Sequence, residues 1–306
     1  MNLQTAPDIP AQEEGTPPEP IPMHRRDHRA AGPLASPGSG QLRIERVGGA
    51  TVVTRARANA PLKLLAPKSR SGSAWVFTST YGGGLVAGDE IALDVALGES
   101  TTCLLGTQAS TKIYRSPSDV PCRQTLNVTI GAGAICIAAP HPVTCFKQAR
   151  FVQRQRFDLG CESGLVLVDW LTSGRHASGE RWAFDCYDSR TDIFVEGRHV
   201  FRDALRLNAA DGPIAAFHRT GGFDCFAYAV VLGEKLRERS AEILRFIGER
   251  PVSHEASPLI FSASPLDNGM VLRAAGTNAE IVAGWLREQL SFVGGLLGED
   301  PWKRLW

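Results

Sequence analysis

Between Glu90 and Leu97 every second residue is apolar: Ile91, Leu93, Val95 and Leu97 alternate with Ala92, Asp94 and Ala96. A period of two marks a strand with one buried face. Gly98, Glu99 and Ser100 predict a turn, and Thr101 to Leu105 a returning strand. That strand ends in a polar run, Thr107-Gln108-Ala109-Ser110-Thr111-Lys112, with Tyr114 and Arg115 just beyond. The pattern then recurs. At an offset of 33, Leu93, Val95, Leu97, Gly98, Cys103 and Leu104 match Leu126, Val128, Ile130, Gly131, Cys136 and Ile137. A looser third copy has Phe157, Leu159 and Gly160, then Leu165 to Val168. Each copy reads strand, glycine turn, strand, polar exit. Such a repeat predicts stacked β-units sharing one elongated core.

Upstream, Arg43–Val47 and Ala50–Thr54 flank Gly48-Gly49, a hairpin signal, and strands are expected at Lys63–Leu65 and from Trp75. Near the C-terminus the period changes. Leu232, Leu236, Ile243 and Ile247 fall on one helical face, and Pro251 blocks continuation. Two short strands, Leu259–Ser262 and Met270–Arg273, surround an Asp267-Asn268-Gly269 turn. A second helix opens at Thr277-Asn278-Ala279-Glu280, which reads as a capping box between Thr277 and Glu280. Ile281, Trp285, Phe292 and Leu296 share one face of it, and Gly298 and Pro301 end it. The expected fold is therefore mainly β (α+β), with stacked β-sheets, a β-solenoid-like core and two C-terminal helices. Residues 1 to 40 stand apart. They hold eight of the nineteen prolines and predict a disordered tail. Its cluster His24-Arg25-Arg26-Asp27-His28 reads as solvated. Residues 41–306 then form one domain, a β-core over 41–220 and a helix-containing part over 221–306.

Composition narrows the function classes. A formal net charge of +1 over 306 residues argues against nucleic acid as a partner. No window approaches the ~20 apolar residues of a membrane helix, and the first residues lack the apolar core of a signal peptide. Seven cysteines, an odd number without a C-x-x-C pair, fit a reducing cytoplasm. The triple glycine Gly82-Gly83-Gly84 with Gly88-Asp89 fails as a phosphate loop, because Asp89 and Glu90 stand where Lys and Ser/Thr are needed. No nucleotide site is expected. Ser110 and Ser173 lack a nucleophile elbow.

Four strings carry a family resemblance: YGGGLVAGD (Tyr81 to Asp89), TQASTKIYRS (Thr107 to Ser116), PVTCFKQARFVQ (Pro142 to Gln153) and LVLVDWLTSGRHASGERW (Leu165 to Trp182). In this order they resemble the urease accessory protein family called UreD, or UreH in some organisms, over residues 41 to about 295. The resemblance implies a non-catalytic maturation factor that binds apo-urease. It also implies a UreF-type accessory partner and, through it, a UreG-type GTPase, and leaves room for a homodimer within the accessory complex. Nickel would be cargo, weakly bound in transit. Where the family pattern has an acidic residue before PVTCF, this chain has His141.

If the copies stack, Gln108, His141 and Asp169 lie near one edge, with Lys112, Arg175, His176 and Glu180 close by. Asp89, His141, Cys145, Asp169, His176 and Glu180 offer oxygen, nitrogen and sulfur donors for a nickel path. Gly82, Gly83, Gly84, Gly88, Gln108, Ser110, Thr111, Lys112, Tyr114, Arg115 and Arg175 are the motif and interface candidates. Taken singly, plainer roles also fit: Asp169 capping a turn, Arg175 pairing with a carboxylate, Cys145 filling the core. A hydrolase or isomerase using Asp89, Asp169, His176 and Glu180 as acid–base groups is the alternative from another class. A clamp that reshapes urease without touching metal is a third.

Overall fold

One sheet starts from a hairpin: the strand running from Ser39 pairs back on its neighbour across the Gly48-Gly49 turn, where both glycines take positive φ. The computed structural model describes residues 36–69, 71–250 and 257–306. The tail expected over residues 1 to 40 lies outside them up to residue 35, as does the His24–His28 cluster, and the first strand already begins at Ser39.

Within the described residues the strands are β1 (Ser39–Val47), β2 (Ala50–Ala58), β3 (Leu62–Leu65), β4 (Ala74–Thr80), β5 (Gly84–Leu85), β6 (Glu90–Leu97), β7 (Thr102–Thr107), β8 (Thr111–Ile113) and β9 (Cys122–Ile130). They continue with β10 (Ile135–Ala138), β11 (Val143–Cys145), β12 (Arg150–Leu159), β13 (Gly164–Thr172), β14 (Cys186–Val195), β15 (Arg198–Asn208), β16 (Cys225–Leu232), β17 (Leu259–Leu266) and β18 (Gly269–Gly276). The helices are α1 (Phe217–Thr220), α2 (Arg237–Gly248), α3 (Ala279–Gln289) and α4 (Val293–Leu297).

The repeat is real and sets the register. In the first sheet, ordered β15-β14-β12-β9-β6-β1-β2, β6 and β9 run parallel with Leu93 opposite Leu126 and Val95 opposite Val128. In the second, Cys103 on β7 lies opposite Cys136 on β10. Both ladders keep the offset of 33, so each copy lays one strand in each sheet. The third copy follows at 29, with Val128 opposite Phe157 and Ala138 opposite Leu167. The glycine turns let the coils close up. A Cβ on Gly131 would sit 2.8 Å from the Leu97 carbonyl oxygen. The fold is the stacked, β-solenoid-like arrangement expected.

Apolar residues lie in two layers. One core fills the space between the sheets, with Phe151, Phe157, Leu165 and Ile193 fully buried. The other, with Trp75, Val166, Trp285 and Leu286, lies between the second sheet and the helices. Three C-terminal expectations need correction. Leu232 is not helical. It ends β16, a strand paired on both sides, and Gly233 at φ 123 turns the chain before α2. Burial on both faces of β16 gives a continuous apolar run that imitates a helix face. The second helix is capped by Asn278, whose Oδ1 accepts from the Ile281 amide at 2.9 Å, not by Thr277. It also breaks at Leu290, so Phe292 and Leu296 belong to the segment of α4. Pro251 lies outside the described residues, and α2 ends before it at Gly248.

One irregularity positions the site. The second sheet follows the path β17-β18-β16-β13-β10-β7-β4-β3, and three of its strands are interrupted and then resume: β4 as β5, β7 as β8, and β10 as β11. The interruptions carry the glycine bend, the polar run from Gln108 to Ser110, and Pro140-His141-Pro142. β13 runs through unbroken. Between shared partners, β10–β11 spans five residues (138 to 143) where β13 spans four (167 to 171). β7–β8 spans six (105 to 111) where β10–β11 spans five (138 to 143). β4–β5 again spans six (78 to 84) against five (107 to 112). Each strand bulges one residue more than the neighbour nearer β13, so the sheet fans open along this line.

Candidate functional site

Behind the fan lies a cavity of about 110 Å³. Thr107, Ser110, Thr111 and His141 line it from the interrupted strands, and Gln153 and Gln155 from β12. A larger cavity of about 470 Å³ extends toward β15, β16 and β17, with Tyr187, Ser189, Asp203, Tyr228 and Arg273 on its walls. Asp169 is the residue common to both.

The local sequence explains why these groups point inward. β13 alternates Leu165, Leu167, Asp169 and Leu171 toward the inter-sheet core, so a carboxylate takes an apolar position. On β12 the same face carries Phe151, Gln153, Gln155, Phe157 and Leu159. On β14, Ser189 and Thr191 stand opposite the two glutamines. The result is a buried polar seam. Asp169 Oδ2 accepts from Gln153 Nε2 at 2.7 Å, Gln155 Nε2 at 2.8 Å and the Tyr228 hydroxyl at 3.3 Å. Tyr228 also meets Thr191 Oγ1 at 2.7 Å. Burial pushes the Asp169 carboxyl up to about 7, the charge of Asp203 adds to the rise, and the donors on Asp169 oppose it.

His141 sits at the other side of the smaller cavity. Its Nδ1 lies 2.9 Å from the Thr107 carbonyl oxygen, which only accepts, so Nδ1 carries the proton. Neutral His141 therefore leaves Nε2 as a lone-pair donor. Burial lowers its pKa, against the raising effect of the Thr107 bond, which favours that neutral form.

The other candidates go elsewhere. Gln108 is exposed and does not line the cavity. The ladder row runs Thr107, Pro140, Asp169, one position short of Gln108 and His141, because the third copy is offset by 29 rather than 28. Asp89 closes a turn, its Oδ2 accepting from the Val86 amide at 2.9 Å. Gly82 and Gly83 take positive φ in the bend, Gly88 does so in the turn beyond it, and a Cβ on Gly84 would meet Tyr114 and the Lys112 carbonyl at 2.6 Å. Lys112 and Arg115 are exposed. Cys145 is 1 % exposed and its thiol is pushed well above its ordinary pKa by burial, as fits a core residue.

Tyr114, Arg175 and Glu180 form a brace. The Tyr114 hydroxyl donates to the Gly82 carbonyl at 3.1 Å, and its ring meets Phe146 edge-on. Arg175 lies over Phe146 at 4.1 Å and donates from Nε to Glu180 Oε2 at 3.0 Å, while the Lys147 amide donates to the same oxygen at 3.2 Å. The four strings that carry the family resemblance thus meet in one chain of contacts. Glu180→Ala is expected to lower stability by about 1 kcal/mol, read as a fall in melting temperature. An unchanged melting temperature would mean that the Arg175–Glu180 pair does not brace the fold.

His176 Nε2 faces both Ser173 Oγ at 2.8 Å and Asp224 Oδ2 at 3.5 Å. A hydrolytic relay needs one ring nitrogen for each partner, and Ser173 is fully buried. Asp89, Asp169, and the His176–Glu180 loop occupy separate places, so the acid–base alternative gains no shared pocket. Among the described residues no three His, Cys, Asp or Glu side chains gather to hold a metal ion. No described helix is long and apolar enough to cross a membrane. Gln153, Gln155 and Tyr228 escaped the sequence reading. The glutamines did leave a signal, two polar residues at inward positions of an alternating strand.

Relatives give the class. A protein from Sorangium cellulosum named urease accessory protein UreD is 45% identical over 292 residues, covering 95% of this chain and 91% of that protein. One of the same name from Anaeromyxobacter is 44% identical, covering 87% and 89%. Urease accessory protein D from Oryza sativa subsp. indica is 35% identical, covering 89% and 98%. These relatives are urease accessory proteins. The sequence model described as "UreD urease accessory protein" matches residues 36–306, and the chain belongs to the UreD family.

Proposed function

We propose that this protein is a cytoplasmic maturation scaffold that binds apo-urease and passes nickel toward the urease active site. It works with a UreF-type accessory protein and, through it, a UreG-type GTPase that supplies the energy. The observation that carries the nickel route is the seam itself: a carboxylate, two amides and a tyrosine in the middle of an apolar core, touching two cavities. Buried polar groups cost free energy, and a wet conduit is a use that such groups serve. His141 Nε2 and Asp169 are the donors on the smaller cavity, a sparse set suited to loose holding.

The test is reconstitution. The protein, apo-urease and the two partners are co-expressed, purified and supplied with nickel. The wild-type protein is expected to co-purify with apo-urease and the UreF-type protein and to support activation. Asp169→Asn is expected to keep both partners but to activate at least tenfold less at limiting nickel. Normal activation by a folded, partner-bound Asp169→Asn protein removes the seam from the nickel route. Failure of the wild type to co-purify with apo-urease removes the scaffold role.

A further inference from the structure

At the ends of the two sheet paths stand β15 and β2 in the first sheet and β17 and β3 in the second. Such edges expose unpaired backbone groups, and charges or short length keep them from pairing with another chain. β15 carries Arg198, Arg202, Asp203 and Arg206, β2 carries Arg55 and Arg57, and β3 has four residues with Lys63 among them. β17 has eight residues and no charge. Its pairing on β18 fixes which backbone groups look outward. Pro265 has no N–H, and Leu266 faces Gly269 across the two-residue turn, so Ile260, Ser262, Ser264 and Leu266 bond to β18. The N–H and C=O groups of Leu259, Phe261 and Ala263, and the C=O of Pro265, point away from the sheet. Ser257 Oγ meets both groups of Leu259, donating to its oxygen at 2.7 Å and accepting from its amide at 3.3 Å. Those of Phe261 and Ala263 meet no partner among the described residues. Large apolar side chains lie exposed on both sides of this edge. Ile260 is 52 % exposed on the cavity side, and Phe246 of α2 is 47 % exposed on the other. Arg250 ties Phe246 to β17, its guanidinium carbon 4.4 Å from the Phe246 ring and 5.5 Å from that of Phe261.

We infer that β17 is a self-pairing edge: two copies of this chain join their second sheets by antiparallel pairing of β17 with β17, about a twofold axis through Ser262. The inference is independent of the nickel route. The free groups are self-complementary about that residue. Phe261 stands opposite Ala263 of the second copy, and Ala263 opposite Phe261 of the second copy. Each pair exchanges two N–H···O bonds, so the free groups of Phe261 and Ala263 are all satisfied. The next pair sets Pro265 against Leu259 of the second copy. Proline offers no N–H to the Leu259 oxygen, and that oxygen already accepts from Ser257. An unrelated extended segment would use the same outward groups, but only self-pairing brings Pro265 against the capped Leu259 oxygen. A twofold axis also sets like residues near one another, so a charged edge repels its own copy, and β17 carries no charge. Ile260 falls opposite Ser264 of the second copy, which covers part of its exposed side chain.

The test is sedimentation of the full-length protein between about 1 and 100 µM, the range of modest affinities. The wild type is expected to pass from one copy to two as concentration rises. Ala263→Pro removes an outward N–H and no bond to β18, and Ser262→Lys sets two like charges against each other across the axis. Each is expected to weaken association about tenfold or more while the protein stays folded. In hydrogen exchange of the wild type, the amides of Phe261 and Ala263 are expected to slow as concentration rises. Ser262→Cys, oxidised with diamide, is expected to give a peptide linked from position 262 to position 262, because the Cα atoms of such an opposite pair lie about 4.5 Å apart. A wild type that stays a monomer throughout overturns the proposal. So does a dimer that both folded variants leave intact. Protection of the two amides only when the UreF-type protein is added would mean that the edge takes a partner's strand, which also overturns self-pairing. Should the variants fail to fold, the concentration dependence of the two amides in the wild type decides alone.

Discussion

Asp169→Asn is expected to make the folded protein more stable at pH 8 than the wild type, by on the order of 4 kcal/mol relative to their difference at pH 4. The carboxyl titrates near 7 in the folded chain because burial disfavours its charge. In the unfolded chain it titrates at about 3.9. Below about pH 4 both states hold the proton, and the group contributes no difference. Between about 4 and 7 the folded state keeps a proton that the unfolded state has lost, so stability falls as pH rises through this window. Above 7 the penalty is complete. Asparagine is neutral throughout and still offers an oxygen to Gln153 and Gln155, so the variant loses this slope. Urea unfolding of both proteins at several values between pH 4 and 8 measures it. Parallel stability curves would mean that Asp169 is not held in a desolvated site. The expected result also carries meaning for function: a residue that weakens the fold at neutral pH while its amide analogue strengthens it is one kept for what it does.

The second large effect belongs to the helical layer. Trp285→Ala is expected to cost ~3–5 kcal/mol, as removal of a buried indole from a packed core does. Trp285 is 6 % exposed, stacks on Phe261 with ring centroids 5.1 Å apart, and joins Leu272, Val282 and Leu286 in the outer core. Its Nε1 is buried and meets no acceptor among the described residues. Trp285→Phe therefore loses volume but no hydrogen bond, and is expected to cost less than half as much. Thermal unfolding of the two variants separates these sizes. An unchanged melting temperature for Trp285→Ala would mean that α3 is not part of the core.

The β-stack was legible because parallel pairing preserves sequence offsets. Leu93 and Leu126 match in the text and stand opposite each other in the ladder. The hairpins were legible through Gly48-Gly49 and Asn268, whose φ of 58 the turn requires. Leu232 misled because a strand buried on both faces has no polar alternation to betray it. The cap fell to Asn278 because Asn competes well for that position and Thr277 stands one residue too early. Asp169 was found as a polar residue at a strand exit, but its partners were not. Gln153 and Gln155 showed in the sequence only as polar residues at inward positions, and their partners Ser189 and Thr191 come from the register of β12 against β14. The Gln108 row failed through one residue of offset, since the third copy follows at 29 where the exits Gln108, His141 and Asp169 assume 28.

The fan in the second sheet has a consequence for how such an opening can change size. The linking residues of each interruption belong to neither flanking strand, and the strands on either side pair independently of their number. The aperture is therefore written in whole residues. Inserting or deleting one residue between β7 and β8 widens or narrows it by one strand step, about 3.3 Å, while Cys103 opposite Cys136 and Thr111 opposite Val143 keep their partners. A lineage can resize the doorway without rebuilding the wall.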